Sequence, residues 1–351
     1  MRRPALVYRE QPLFGFDIGT RTAKVIQLSA HGKKKSVIGY GSANFPEGAI
    51  VEGIIVDEQE IVSALAPMLK DLGTGHISAK RVAASLPVAK VFTRVLDLPP
   101  MNPADLGAAV RLEAEQYIPV PLPDLYIDYE IIEQQPERIE VLMVAAPRAI
   151  VDSYTKLFET LNLDVAFVES SLSAVTRAIL AASPLDQTTL VADFGSQSID
   201  LTIHDRVIRL TDTIALGGDD ITKQLAASLQ ITHDQAHDIK IKFGLSKSGL
   251  QSKIKEALTV PLGKIIAEMR RVMKYYQDRG HDRQPVQIIM LAGGSASMPG
   301  LVEYMSEQLG IPVVIADPWA GLEFKHVEHI SKHEAPAYTT AIGLARLEGT
   351  L

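Results

Sequence analysis

Short apolar blocks recur along the chain, and they recur in the same order twice. Leu13–Ile18, Ala23–Ser29 and Ser36–Phe45 read as three strands joined by tight turns. A helix follows, with Asp57 as N-cap and Glu60 as its capping-box partner. Its apolar face runs through Ile61, Leu65 and Leu69 to a stop at Gly73, and Pro67 is expected to kink or shorten it. Arg81–Leu86 returns to a buried strand. The second half opens with three more strands at Thr188–Asp193, Ile199–His204 and Val207–Ala215. Gly217-Gly218 then starts the helix DDITKQLAASLQ. Thr232–Phe243 and Leu250–Arg279 read as helices, with Pro261 interrupting the second. Val286–Leu291 is a buried strand, followed by a helix at Met298–Leu309, a strand at Pro312–Ile315 and a last helix at Ala337–Leu347. A shared element order on this scale points to a duplicated half-domain rather than a short-period array. Ser183-Pro184 marks the hinge between the halves.

Between the first buried strand and that hinge the pattern changes. Val88–Leu98 is an extended apolar stretch closed by Pro99-Pro100. Asn102-Pro103 supplies an N-cap and a proline at the first helical position, and the helix stops at Ile118-Pro119. Strands at Tyr126–Gln134 and Arg138–Ala145 and a helix at Arg148–Leu161 complete a β-α-β-β-α block over 86–163. Val165–Val168 then reads as strand and Ser170–Ala182 as helix.

Composition narrows the function classes. The chain has 351 residues, 46% of them hydrophobic and 22% charged, as expected for a folded chain of one or two domains. Its net charge of −7, with no basic run beyond Lys33–Lys35, argues against nucleic acid; those lysines read as a solvated hairpin tip. Cysteine is absent, so disulfides and thiolate metal sites are excluded. No apolar run reaches the roughly 18 residues of a membrane span. The basic opening MRRPALVYREQP carries no apolar signal segment, and the closing AIGLARLEGTL is too short for a membrane-surface helix.

The chemistry gathers at two turns. Asp17-Ile18-Gly19-Thr20-Arg21-Thr22 and Asp193-Phe194-Gly195-Ser196-Gln197-Ser198 share the pattern Asp-apolar-Gly-Ser/Thr-x-Ser/Thr at the end of a strand. Such a turn aims N–H groups and hydroxyls at one point and forms an anion cradle. The aspartate can hold a divalent cation directly or through water. A third glycine turn, Ala292-Gly293-Gly294-Ser295-Ala296, follows a strand and reads either as a plain strand-to-helix turn or as backbone against which a purine and ribose could lie flat. There is no GxxxxGK[ST] and no G-x-S-x-G. His326, His329 and His333 have helix-like spacing but form no HExxH, and read as a solvated face. Tyr275-Tyr276 and Trp319 read as packing residues.

Taken together, Asp17–Lys24, Asp193–Ser198, Gly217-Gly218 and the AGGSASMPGL turn at 292–301 make the chain similar to the actin, heat-shock chaperone and sugar kinase superfamily. The position of the 86–163 block narrows the resemblance to the FtsA and PilM branch. The short chain and the segment from Val168-Glu169-Ser170 to Arg177 resemble the PilM family of type IV pilus assembly proteins. The resemblance implies an α/β, ribonuclease H-like actin fold of two duplicated domains around a nucleotide cleft. It divides the chain into 1–85 with 164–183 and 336–351, the inserted 86–163, 184–230 with 286–335, and 231–285. It implies ATP and Mg²⁺ in the cleft. Asp17 and Asp193 would face the metal, and Gly19, Thr20, Arg21, Thr22 and Lys24 would line the first phosphate turn. Gly195, Ser196 and Gln197 would line the second, while Gly217, Gly218, Lys240, Gly293, Gly294 and Ser295 would sit round the nucleoside. Glu169 is the candidate for orienting water in a slow hydrolysis. The family partner is the cytoplasmic N-terminal tail of a bitopic PilN-like membrane protein, docking between the first-domain core and the 86–163 block. Other pilus platform components and the assembly ATPase would be further partners, with possible self-association. The protein would be cytoplasmic and peripheral at the inner membrane through that partner, with no direct membrane insertion. An FtsA-like division scaffold and a small-molecule kinase on the same fold are the alternatives.

Overall fold

Two sheets with one strand order carry the fold of this computed structural model, which describes residues 12–29, 34–182, 186–278 and 283–347. The opening segment, Lys33, the hinge expected at Ser183-Pro184, Arg279 and the last four residues lie outside these. The first half builds β1 (Leu13–Ile18), β2 (Thr22–Leu28), β3 (Val37–Asn44), the small hairpin β4 (Ile50–Val51) and β5 (Ile54–Ile55), α1 (Glu58–Lys70), β6 (Thr74–Gly75) and β7 (Arg81–Leu86). The inserted block gives β8 (Phe92–Leu98), α2 (Pro103–Tyr117), β9 (Leu125–Gln134) and β10 (Ile139–Pro147). Then come α3 (Arg148–Thr160), β11 (Asp164–Ser170) and α4 (Ser171–Ala182). The second half contains β12 (Thr189–Phe194), β13 (Ile199–Asp205), β14 (Val207–Ile214), α5 (Gly218–Leu229), α6 (His233–Lys242) and α7 (Gln251–Asp278). It ends in β15 (Ile288–Ala292), α8 (Leu301–Leu309), β16 (Val313–Ile315) and α9 (Thr339–Ala345).

In the first sheet β3, β2 and β1 are antiparallel neighbours, and β7 and β11 continue parallel to β1. The second sheet repeats this with β14, β13, β12, then β15 and β16 in parallel. The short β6 extends the first sheet beyond β3. The central strands β1 and β12 are buried on both faces apart from Asp17 and Asp193, which explains their nearly unbroken apolar runs. The inserted block forms its own sheet in the order β8-β10-β9, with α2 closing a small core of Leu96, Val110, Val141 and Met143.

Packing redraws several expected boundaries. The apolar face of α3 (Ile150, Tyr154, Leu157 and Phe158) joins the core of Phe14, Phe16 and Val82, so this helix packs on the first sheet as well as beside the inserted one, where Tyr126 donates to Asp152. Phe16 and Phe158 meet edge to face at 5.3 Å. Trp319 and Phe324 pack on Ile26, Leu28 and Tyr40, so this stretch also covers the first sheet. Residues of α6 and α7 share one core with β12, β13 and β15. Pro261 does not interrupt α7, which runs unbroken through 28 residues. A mid-helix proline costs about 3 kcal/mol. The buried stripe Ile254, Leu258, Leu262, Ile265, Met269 and Val272 outweighs that, at about 1.5–3 kcal/mol per fully buried side chain. Likewise α1 passes through Pro67 and ends three residues later, with the Asp57 side chain accepting from the Glu60 N–H as expected. Val88–Lys90 is a single 3-10 turn ahead of β8 rather than extended chain. The three histidines at 326, 329 and 333 lie in irregular chain, and His329 stacks on Phe324 at 4.1 Å.

Within the first domain α9 crosses α4 at backbone contact. A Cβ on Gly343 would lie 1.8 Å from the Ala174 carbonyl oxygen of α4, so only glycine allows this crossing.

Candidate functional site

A cavity of about 1100 Å³ opens between the two sheets, at the ends of β1 and β12. Each duplicated hairpin presents its aspartate there in the same register. Asp17 pairs with Lys24 across β1 and β2, and Asp193 pairs with Asp200 across β12 and β13. The two turns touch. The hydroxyls of Thr20 and Ser196, each three residues past its aspartate, are 2.9 Å apart. The duplicated units therefore meet at equivalent positions, and the cavity lies between them.

Asp17, Gly19, Thr20, Thr22, Lys24, Asp193, Gly195, Ser196, Gln197, Lys240, Gly293, Gly294 and Ser295 all line this cavity. These residues thus converge from four separate stretches of chain. Details differ from expectation. The N–H groups of Gly19 and Gly195 close their own turns, donating to the Thr22 and Asp193 carbonyls, so they shape the loops. Arg21 is not among the lining residues. Its guanidinium pairs with Glu47 at 2.6 Å and reaches Asp219 at 3.4 Å, tying the first turn to the start of α5.

Gly217 and Gly218 also stand behind the wall. A Cβ on Gly217 would lie 2.3 Å from the Ser196 carbonyl oxygen, and the N–H groups of Gly218 and Asp219 donate to the Gly195 and Ser196 carbonyls. The start of α5 therefore braces the second turn. Lys240 is buried and gives its ammonium to the Gly218 carbonyl and the Thr222 hydroxyl at 2.9 and 2.8 Å, which anchors the same helix start. Burial holds its pKa below the usual lysine range. Gly293 is needed for close approach. At φ +84 its missing Cβ would sit 2.3 Å from Asp193 Oδ1.

Glu169 lies outside the cavity lining, and both its carboxylate oxygens accept from Arg177 at 2.6 Å.

Among the lining residues that escaped the sequence reading, two touch or pair with the aspartates. Asp200 stands seven residues after Asp193, as Lys24 stands seven after Asp17, so the repeat itself carried the signal. Ser85, at the end of β7, donates to Asp17 Oδ1 at 2.8 Å; only the parallel pairing of β7 with β1 brings it there.

The electrostatics suit a cation. Desolvation pushes Asp193 up to about 7, with the charges of Asp200 and Asp17 adding to it. Desolvation pushes Asp200 up to about 6 against hydrogen bonds from Thr213 and Ser198. Asp17 is raised by desolvation and pulled back by Lys24 and Ser85. Carboxylates crowded in this way resist ionising together until positive charge arrives. Among the described residues no group of three or more such side chains is placed to enclose a metal ion.

Two copies of one α/β unit facing each other across such a cleft define the actin-like ATPase fold. Solved structures share it. The PilM-PilN type IV pilus biogenesis complex matches with a TM-score of 0.84 at 21% identity, covering 97% of this chain and 99% of that one. MreB 5 of Spiroplasma citri bound to AMPPNP matches with a TM-score of 0.57 at 13% identity, covering 97% of each chain. Cell division protein FtsA of Enterococcus hirae is 26% identical over 345 residues, 87% of this chain and 78% of that one. Residues 15–348 match the family model of the type IV pilus assembly protein PilM, and the chain belongs to that family.

Proposed function

We propose that the chain binds ATP with Mg²⁺ in this cleft and serves the pilus assembly platform by docking the cytoplasmic N-terminal tail of a PilN-like membrane protein. The observation that carries the nucleotide reading is the meeting of the Asp17 and Asp193 turns at Thr20 and Ser196 inside one cavity. Asp17 and Asp193 would hold the hydrated metal, which would neutralise the phosphate charge and draw the two domains onto it. Lys24, Thr22, Ser196 and Gln197 would bind the phosphates, and Gly293, Gly294 and Ser295 would lie beside the nucleoside. With Glu169 engaged elsewhere, hydrolysis would run well below the roughly 1–100 s⁻¹ of kinases. The bound PilN of the 0.84 neighbour supports the partner reading.

Calorimetry tests the cleft. Wild type is expected to bind Mg-ATP, and Asp17→Ala and Asp193→Ala each to weaken it about tenfold to a hundredfold, the worth of one charge-assisted contact. Both variants binding as tightly as wild type would remove the two-turn clasp.

A further inference from the structure

Strand β14 is the outer strand of the second sheet, and β8 lies beside it. Its residues at 213, 211 and 209 each contact a different element. The Thr213 hydroxyl donates to Asp200 Oδ1 at 2.7 Å, and both residues line the cavity. The Thr211 hydroxyl reaches the Thr93 carbonyl of β8 at 3.5 Å. The Arg209 guanidinium pairs with Glu140 of β10, and this pair is nearly buried, with side chains 14% and 9% exposed. Arg138 approaches the other oxygen of Glu140 at 3.1 Å. The β13–β14 register shifts between Ile203 and His204, so Arg209 is the extra residue of a bulge. Bulges re-aim a side chain out of the regular ladder. Here the re-aimed side chain crosses from the second domain to the inserted sheet and is held by a second bond to the Asp205 carbonyl.

We infer that β14 is a mechanical link between the cleft and the inserted sheet, in which the state of Asp200 is passed through Thr213, Thr211 and Arg209 to β8 and β10. A rigid strand suits this role, because it moves as a unit when one end is displaced. The buried ion pair resists slipping, since separating it strands two charges away from water. A ligand that repels or attracts Asp200 then biases where the inserted sheet sits, and anything that grips the sheet biases the cleft by the same factor.

The test uses the full chain without nucleotide and reads hydrogen exchange by mass spectrometry in peptides covering 92–98 and 139–147. Asp200→Asn is expected to change exchange there by about fivefold or more, the lower edge of usual allosteric coupling. Thr213→Val cuts the same bond and is expected to act likewise, which covers the case in which Asp200→Asn does not fold. In an Arg209→Gln or Glu140→Gln background the change is expected to fall below about twofold, and combining those two substitutions to add nothing further. Wild-type exchange in Asp200→Asn and Thr213→Val, or an undiminished effect in the Arg209→Gln and Glu140→Gln backgrounds, overturns the link. A second arm adds Mg-ATP and rests on the proposed nucleotide site. Protection confined to 13–24 and 189–200 overturns the link and leaves that site standing. Coupling without nucleotide, in a protein that ATP does not protect, supports the link and removes the nucleotide reading.

Discussion

Glu169 holds Arg177 through both carboxylate oxygens, and Arg177 also donates to the Gly343 carbonyl at 3.0 Å, so one ion pair joins β11, α4 and α9. Glu169→Gln is therefore expected to cost about 1–3 kcal/mol of stability, the worth of hydrogen bonds to a charged group. The urea midpoint should fall while nucleotide affinity and turnover stay at wild-type values; a changed turnover with an unmoved midpoint would restore the catalytic role. His204 on β13 makes a second residue-scale case. Burial, the largest cause, depresses its pKa below 6.5, aided by the Arg209 charge and opposed by Asp205. The unfolded chain takes up this proton near 6.5 and the folded protein only at lower pH. The stability is thus complete above that value and lost as pH falls from it towards the depressed one. Thermal melts between pH 5 and 7 check this by difference: Asp193 and Asp200, raised to about 7 and about 6, act in the opposite sense, so wild type is expected to gain less stability on acidification than His204→Leu. Parallel profiles would show that His204 contributes nothing.

Among the elements, α9 shows how little an isolated pattern says about placement. Its seven residues are all buried, wedged against β1 and α4, and periodicity cannot orient a helix that is apolar all round. The crossing depends on Gly343. Gly343→Ala places a methyl against backbone that cannot retreat and should cost about 1–3 kcal/mol or more, the usual penalty of overpacking. Denaturant unfolding checks this, and a variant as stable as wild type would mean that α4 can slide. The elements with clean periods were legible. β1, β7, α2 and the strand-and-turn pairs fall within a residue or two of the expected ranges. Prolines misled at α7, because one absent hydrogen bond is a local loss and the buried stripe of the helix is a tertiary gain.

For the whole molecule, the contacts that matter cross between units: Thr20 with Ser196, Arg21 with Asp219, and Arg209 with Glu140. Among the described residues no helix is long and apolar enough to cross a membrane. We expect it to fractionate with membranes only when the PilN-like protein is present, and to lose that recruitment on deletion of roughly 86–163. An extended peptide docks its main chain on a strand edge and its side chains in pockets, and the stretches at Val88–Leu98 and Asn102–Tyr117 are those expected to border such a groove. A synthetic N-terminal peptide of the partner that fails to bind at high micromolar concentration, with and without ATP, would count against this docking.

Local chemistry reads directly from sequence because it depends on neighbours in the chain. The strand-turn-strand pattern, the aspartate at each strand end, the glycine that follows it and the repetition of the set after half a chain all sit within a few residues of one another. From these came the duplicated α/β architecture and the residues of both turns that line the cleft. The tertiary structure decided whatever depends on residues far apart in sequence. It set Glu169 on Arg177, tied Arg21 to Glu47 and Asp219, put Gly217 and Gly218 behind the second turn, bonded Lys240 to the start of α5, and brought Ser85 to Asp17. It also packed α3 and the stretch around Trp319 against the first sheet. A charged or apolar side chain takes the partner that burial brings within reach, and chain order does not encode that distance.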